Sequence, residues 1–192
     1  MTSARADRPA AADLPTLPEL LRPGLDLVFV GINPGERSAE RGHYYGHPGN
    51  AFWRRLSASP LVARDLTCED DASLLDEGIG FTDVSKRVIT DSTQISDAEL
   101  RDSLDDFHAR IAHAAPRAVC FTAMRPFSAV YPRAWRAHRW GRQDVAPLEG
   151  AEVWVMPSPS GRAAGYHHAI DQVLADLAAS LGRVRSDSRG AA

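Results

Sequence analysis

The sequence predicts a single α/β domain in three layers, with a short, mostly parallel central sheet flanked by helices. Three observations carry that expectation. Apolar runs of strand length occur at 25–32, 79–82, 117–122 and 152–157, each bounded by Gly, Pro or polar residues. Helical patterns fill the intervals between them. At 192 residues, 44% hydrophobic and 24% charged, the chain can bury one substantial core.

The elements follow in order. "LDLVFV" (25–30) is the first strand. Asn50 stands where it can cap a short helix carrying Phe52, Trp53 and Leu56, which Pro60 ends. Thr67 and Asp70 open a helix that Gly78 closes. Ser96 followed by Glu99 is a capping box, and Leu100, Leu104, Phe107 and Ile111 form one stripe up to Pro116. Ile170, Val173, Leu174, Leu177 and Leu181 form another, with Gly182 beyond its end. These stripes are core packing. Outside them, 1–22 is Ala- and Pro-rich and is expected to be a flexible arm, 23–182 the domain, and 183–192 a flexible tail.

Composition removes several classes. No apolar run approaches the roughly 18 residues a membrane span needs, and the first two dozen residues lack the apolar centre of a secretory signal. Cys68 and Cys120 stand far apart in no metal-like spacing, so a reducing cytoplasm is expected. Two cysteines cannot hold an iron–sulfur cluster. His43 with His47, and His167 with His168, invite a metal reading. They have no cysteine nearby, and the first pair lies in a loop, so no metal is expected. The net charge of −3 hides an asymmetry: twelve acids lie between Glu69 and Asp106, whereas Phe107 to Gln143 holds seven arginines and no acid. Either one face is basic and meets an anionic partner, or these arginines pair within the fold.

In open α/β sheets ligands sit at the carboxyl ends of the strands, so the segments after each strand matter most. They are "GINPGERSAERGHYYGHPGNAFW" (31–53), "TDVSKR" (82–87) and "MPSPSGRAAGYHH" (156–168). Pro34 restrains the chain after Asn33, whose side-chain oxygen can orient a water but take no proton. His43, Tyr44, Tyr45, His47 and Asn50 crowd one glycine-rich loop, which suggests a stacking surface for a flat ligand. Tyr45 plugging the loop base and Asn50 capping a helix are the plainer alternatives. Ser158, Ser160, Gly161 and Arg162 precede a helix, an arrangement that suits phosphate, and Arg162 could also enter a base stack.

Together "GINPG", "GHYYGHPGNAFW", "GFTD" and "WVMPSPSGRAA" resemble the mismatch-specific uracil-DNA glycosylase and thymine-DNA glycosylase family of the uracil-DNA glycosylase superfamily. Their order and spacing fit from about residue 23 to 181. The resemblance implies a uracil-DNA glycosylase-like domain that flips uracil or thymine out of a mispair with guanine and hydrolyses its N-glycosidic bond. It implies a monofunctional, monomeric enzyme of base excision repair, with no cofactor and with double-stranded DNA carrying U·G or T·G mispairs as partner. By position Asn33 matches the water-orienting asparagine and Tyr45 the aromatic that stacks on the base. Gly31, Ile32, Ser38, Asn50 and Ser158 match base-binding positions, and Ser160, Gly161 and Arg162 the wedge.

Asp83 departs from the pattern, since relatives often carry Lys or Asn there. A carboxylate at that strand end could serve as general base, pair with Lys86 or Arg87, or cap the next turn. Two other functions compete: a mismatch-binding protein with little turnover, and a small-molecule enzyme that holds a nucleotide phosphate.

Overall fold

The structure is a computed structural model, and it describes residues 14–134 and 139–183. Five strands form one sheet: β1 (Leu27–Gly31), β2 (Ile79–Asp83), β3 (Ala118–Phe121), β4 (Gly141–Arg142) and β5 (Glu152–Val155). Their order is β2-β1-β3-β5-β4, parallel except for the short antiparallel edge β4. The four strands expected from sequence are the four parallel ones. Among the described residues six α-helices accompany them: α1 (Glu36–Arg41), α2 (Phe52–Ala58), α3 (Asp97–Asp102), α4 (Leu104–Ala114), α5 (Met124–Val130) and α6 (His167–Ser180).

Alternation along the strands builds the three layers. Leu27 and Phe29 of β1 join Phe52, Trp53 and Leu56 of α2 and Ile170, Leu174 and Leu177 of α6 in one core. Val28 and Val30 face the other way, onto Leu100, Phe107, Ile111 and Phe127 of α3, α4 and α5. Each core is closed by fully buried aromatic and aliphatic side chains. At roughly 1.5–3 kcal/mol per side chain, their burial is the main force holding helices to sheet.

Four details differ from the sequence expectation. Thr67 and Asp70 do form a start signal, a reciprocal capping box, but it opens a 3-10 turn, Cys68–Asp70, followed by a second, Ala72–Leu75, capped by Asp71, rather than an α-helix. Ser96 does accept the Glu99 N–H, yet the stripe breaks at Ser103, whose Oγ bonds back to the Glu99 carbonyl, dividing α3 from α4. Asn50 accepts the Phe52 N–H from one residue before the helix cap, which is Ala51.

The fourth correction concerns the arm. Residues 1–13 lie outside the described residues, but 14–22 pack on the domain. Leu17 and Leu20 are buried, and Leu20 exchanges backbone hydrogen bonds with Phe81 on the free edge of β2 (3.2 and 2.9 Å). Gly80 makes this approach possible, because a Cβ there would lie 2.5 Å from the Leu20 carbonyl oxygen. At the other end Arg183 donates to the Leu61 and Glu77 carbonyls and pairs with Asp26, while 184–192 lie outside the described residues.

Candidate active site

The parallel register sets the carboxyl ends of β1, β2, β3 and β5 side by side. Gly31 lies opposite Asp83, Val30 opposite Thr82 and Phe121, and Phe121 opposite Val155. The loops after them therefore share one rim. The Ala51 N–H donates to the Pro159 carbonyl (2.8 Å), which ties the first loop to the last.

Asn33 is half-buried on this rim. Its Nδ2 faces three carbonyls, of Ile89 (2.7 Å), Pro34 (2.9 Å) and Arg87 (3.2 Å). Three acceptors around one nitrogen fix which end of the amide is NH2. No hydrogen bond among the described residues ends on Oδ1, so the amide is held by one end and presents an acceptor at the other. The surrounding backbone is held as well. Val84 N–H donates to the Gly31 carbonyl, Ser85 N–H to that of Ile32, and Ile89 N–H to that of Pro34. Ile32 is thus a backbone tie between the two loops, with its side chain half-buried against the α3–α5 core.

Asp83 ends β2 with its side chain on the same face as Gly31. A Cβ on Gly31 would lie 2.1 Å from Asp83 Oδ1 and 3.8 Å from Tyr45 Oη. The carboxyl therefore lies over the backbone of Gly31, on the side of the tyrosine hydroxyl, and Gly31 precedes Asn33 by two residues in the chain. Asp83 is 3% exposed, and its Oδ2 is buried with no hydrogen-bond partner among the described residues. Burial pushes its pKa up to about 7, with Glu19 adding to the rise and Lys86 and Arg110 opposing it. The pairings that sequence left open go elsewhere: Lys86 pairs with Glu19 and Arg87 with Glu99.

Tyr45 sits at φ +52°, in the left-handed region a bulky residue seldom adopts. Its neighbours hold it there. Asp71 accepts the Tyr44 N–H (2.9 Å), and Ser38 Oγ accepts the Gly46 N–H (3.0 Å). The Tyr45 ring stacks on Phe52 with centroids 4.0 Å apart, and its hydroxyl donates to Thr122 Oγ1 (3.1 Å). Burial, reinforced by Asp83, raises the phenol pKa well above its usual value, so the hydroxyl stays a neutral donor.

The last loop is ordered by its own serines. Ser158 Oγ accepts the Ser160 N–H (3.3 Å), and the Ser160 carbonyl accepts from His167 Nε2 (3.1 Å). A 3-10 segment, Gly161–Tyr166, kinked at Ala163, then leads into α6. Gly161 is exposed; the Arg162 side chain lies outside what the structure describes.

Comparison with known proteins fits this arrangement. The family model described as the uracil DNA glycosylase superfamily matches residues 18–178. The chain belongs to the uracil DNA glycosylase superfamily. Its fold is similar to the solution NMR structure of a candidate uracil DNA glycosylase from Methanosarcina acetivorans. That likeness has 22% identity and a TM-score of 0.53, and covers 83% of this chain and 97% of that one. The superfamily match starts at residue 18, inside the segment expected to be a loose arm and within the stretch whose Leu20 packs on the domain.

Of the residues singled out from sequence, Gly31, Tyr45 and Asp83 converge, and Asn33 lies on the loop that leaves Gly31. Ser38 and Asn50 lie beneath the loop, with Ser38 Oγ and Asn50 Oδ1 each holding a backbone N–H, so both position their neighbours. His43 meets Asp71 (3.0 Å), and His47 Nδ1 accepts the Gly49 N–H (2.9 Å). Sequence missed three participants. Thr122 anchors Tyr45, Asp71 shapes the loop, and Tyr166, 60% exposed, closes the turn after Gly161. Only position could have marked Thr122, the first residue after a parallel strand. Of the six described arginines in this stretch, four pair within the fold: Arg110 with Glu19, Arg117 with Asp26, Arg142 with Glu152, and Arg125 with the Ser92 and Ile95 carbonyls. Arg133 and Arg139 are exposed.

Proposed function

We propose that the protein is a monofunctional DNA N-glycosylase of base excision repair, which flips uracil out of a mispair with guanine and hydrolyses its N-glycosidic bond. One observation carries the reading: a buried Asp83 carboxyl, its Oδ2 without a hydrogen-bond partner among the described residues, lies over Gly31, which is two residues from an asparagine anchored by its nitrogen. In the proposed reaction, water donates a hydrogen bond to Asn33 Oδ1 and transfers a proton to Asp83. Its oxygen bonds to C1′ of the sugar as the C1′–N1 bond breaks, and uracil leaves as an anion. Asparagine supplies orientation, and a carboxylate with a pKa near 7 supplies the proton acceptor that an amide cannot be.

Tyr45 offers the ring face not covered by Phe52 to the flipped base, and Ser158 has a hydroxyl proton for a pyrimidine carbonyl. Gly161 and Arg162 enter the gap in the duplex. Flipping costs least at a mispair, which favours U·G and admits T·G as a slower substrate. The hydrolytic, lyase-free assignment is supported by the side-chain amines: Lys86 is the chain's single lysine, and it is paired with Glu19.

Incubation with a U·G duplex followed by alkali tests the proposal. Strand breaks at the uracil position are expected, and none without alkali. An intact strand after many hours with excess protein would refute it and favour a protein that only binds mismatches.

A further inference from the structure

Successive residues of β2 face opposite ways, so Asp83 and Thr82 look into different environments. Asp83 faces Tyr44, Tyr45 and Gly31. Thr82 donates its hydroxyl to Glu19 Oε2 (2.6 Å), on the packed N-terminal segment. Glu19 Oε1 lies 2.7 Å from Lys86 Nζ and 3.2 Å from Arg110 Nε. Both of those nitrogens are sealed from solvent. Arg110 Nη2 then donates to the backbone carbonyl of Asp83 itself (2.8 Å). Glu19 through Thr82 and Arg110 through the Asp83 carbonyl thus hold the strand end, and Lys86 pairs with Glu19.

We propose that Glu19, Lys86 and Arg110 form a partly buried charge triad that sets the ionisation of Asp83 across β2. Glu19 is a positioning residue in this scheme, supplied by a segment that crosses the sheet edge. The inference rests on the reading of Asp83 as general base. The charged and titratable groups around Asp83 among the described residues are Glu19, Lys86, Arg110, Tyr44 and Tyr45. The tyrosines stay neutral, so the triad supplies the field. The two cations favour the carboxylate and Glu19 offsets them.

Opposite signs make the triad testable. Glu19→Gln keeps the shape and leaves the cations unopposed, so Asp83 should ionise at lower pH. Lys86→Met removes a cation, so Asp83 should ionise at higher pH. Lys86→Arg keeps the charge and should restore the wild-type midpoint. The readout is the Asp83 carboxyl carbon shift by NMR, followed against pH in the folded, DNA-free protein and assigned with Asp83→Asn. Shifts of about half a pH unit or more in opposite directions are expected for Glu19→Gln and Lys86→Met. Midpoints within about 0.2 unit of wild type in both variants would overturn the proposal. Single-turnover cleavage of a U·G duplex by the same proteins should show its pH midpoint moving in step. Failure of the glycosylase reading would remove cleavage and leave the NMR titration intact, so the two failures are distinguishable. If Glu19→Gln does not fold, the Lys86→Met and Lys86→Arg pair decides alone: equal midpoints overturn the proposal.

Discussion

Asp71 and Asp83 are both sealed from solvent, at 2% and 3% exposure, and both stand beside the tyrosine pair of the first loop. Their surroundings are opposite. Asp71 accepts the Tyr44 N–H, the Ala72 N–H and the His43 ring N–H, at 2.9, 2.7 and 3.0 Å. Asp83 has a buried oxygen with no partner. A buried carboxylate that accepts several N–H bonds is built to hold backbone in place. One left unpartnered is held near neutrality by desolvation and can change its proton count. Asp71 shapes the site, and Asp83 is equipped to act in it.

The largest effect expected from breaking this contrast is on rate. Asp83→Asn preserves size and should lower single-turnover cleavage of U·G by about 10²–10⁴-fold, the usual worth of a positioned base. The same change should stabilise the fold. The folded pKa of Asp83 is raised, so the native state binds the extra proton between pH 4 and 7. Its cost is therefore absent below about pH 4, grows through that window and is constant above about pH 7, with an upper bound of about 4 kcal/mol. Wild-type stability should fall from pH 5 to 8 by this term, and Asp83→Asn should gain about 1–3 kcal/mol over wild type at pH 8, read by urea denaturation.

Asp71→Ala should do the reverse. It strands two backbone N–H groups and should cost about 2–4 kcal/mol of stability. Cleavage per folded molecule at low temperature should stay within about tenfold of wild type, because the loop is loosened without loss of a reacting group. Gly31→Ala tests the contact between the halves of the site. The new Cβ would fall 2.1 Å from Asp83 Oδ1, so the carboxyl must move, and a rate loss of about tenfold or more is expected. Tyr45→Phe is the mildest. It removes the bond to Thr122 and keeps the ring on Phe52, costing about 1 kcal/mol in stability and a few-fold in rate.

Much of this was legible in the sequence for a physical reason. Buried parallel strands must be apolar and bounded, so β1, β2, β3 and β5 announced themselves, and the loops after them had to share a rim. Asn33 and Tyr45 stood out because Gly and Pro punctuate their loop. Other elements carried no such signature. Helix α1 ("ERSAER") buries only Ser38 and Ala39, which gives no stripe, and α5 carries a proline at its third residue. The packing of Leu17 and Leu20 depends on Gly80 some sixty residues away, and no local pattern records it. Asp83 shows the limit most clearly. Its neighbours Lys86 and Arg87 made an ion pair plausible, and only the fold reveals that Glu19 and Glu99 take both cations.

The central claim is that a titrating Asp83 works beside an anchored Asn33, and the dependence of single-turnover cleavage on pH tests it most directly. With a U·G duplex, the wild-type rate constant should rise with a midpoint near 7 and level off above it, while Asp83→Asn stays slow and flat across the same range. A wild-type profile without that rise, or an Asp83→Asn protein that cleaves at the wild-type rate, would contradict it.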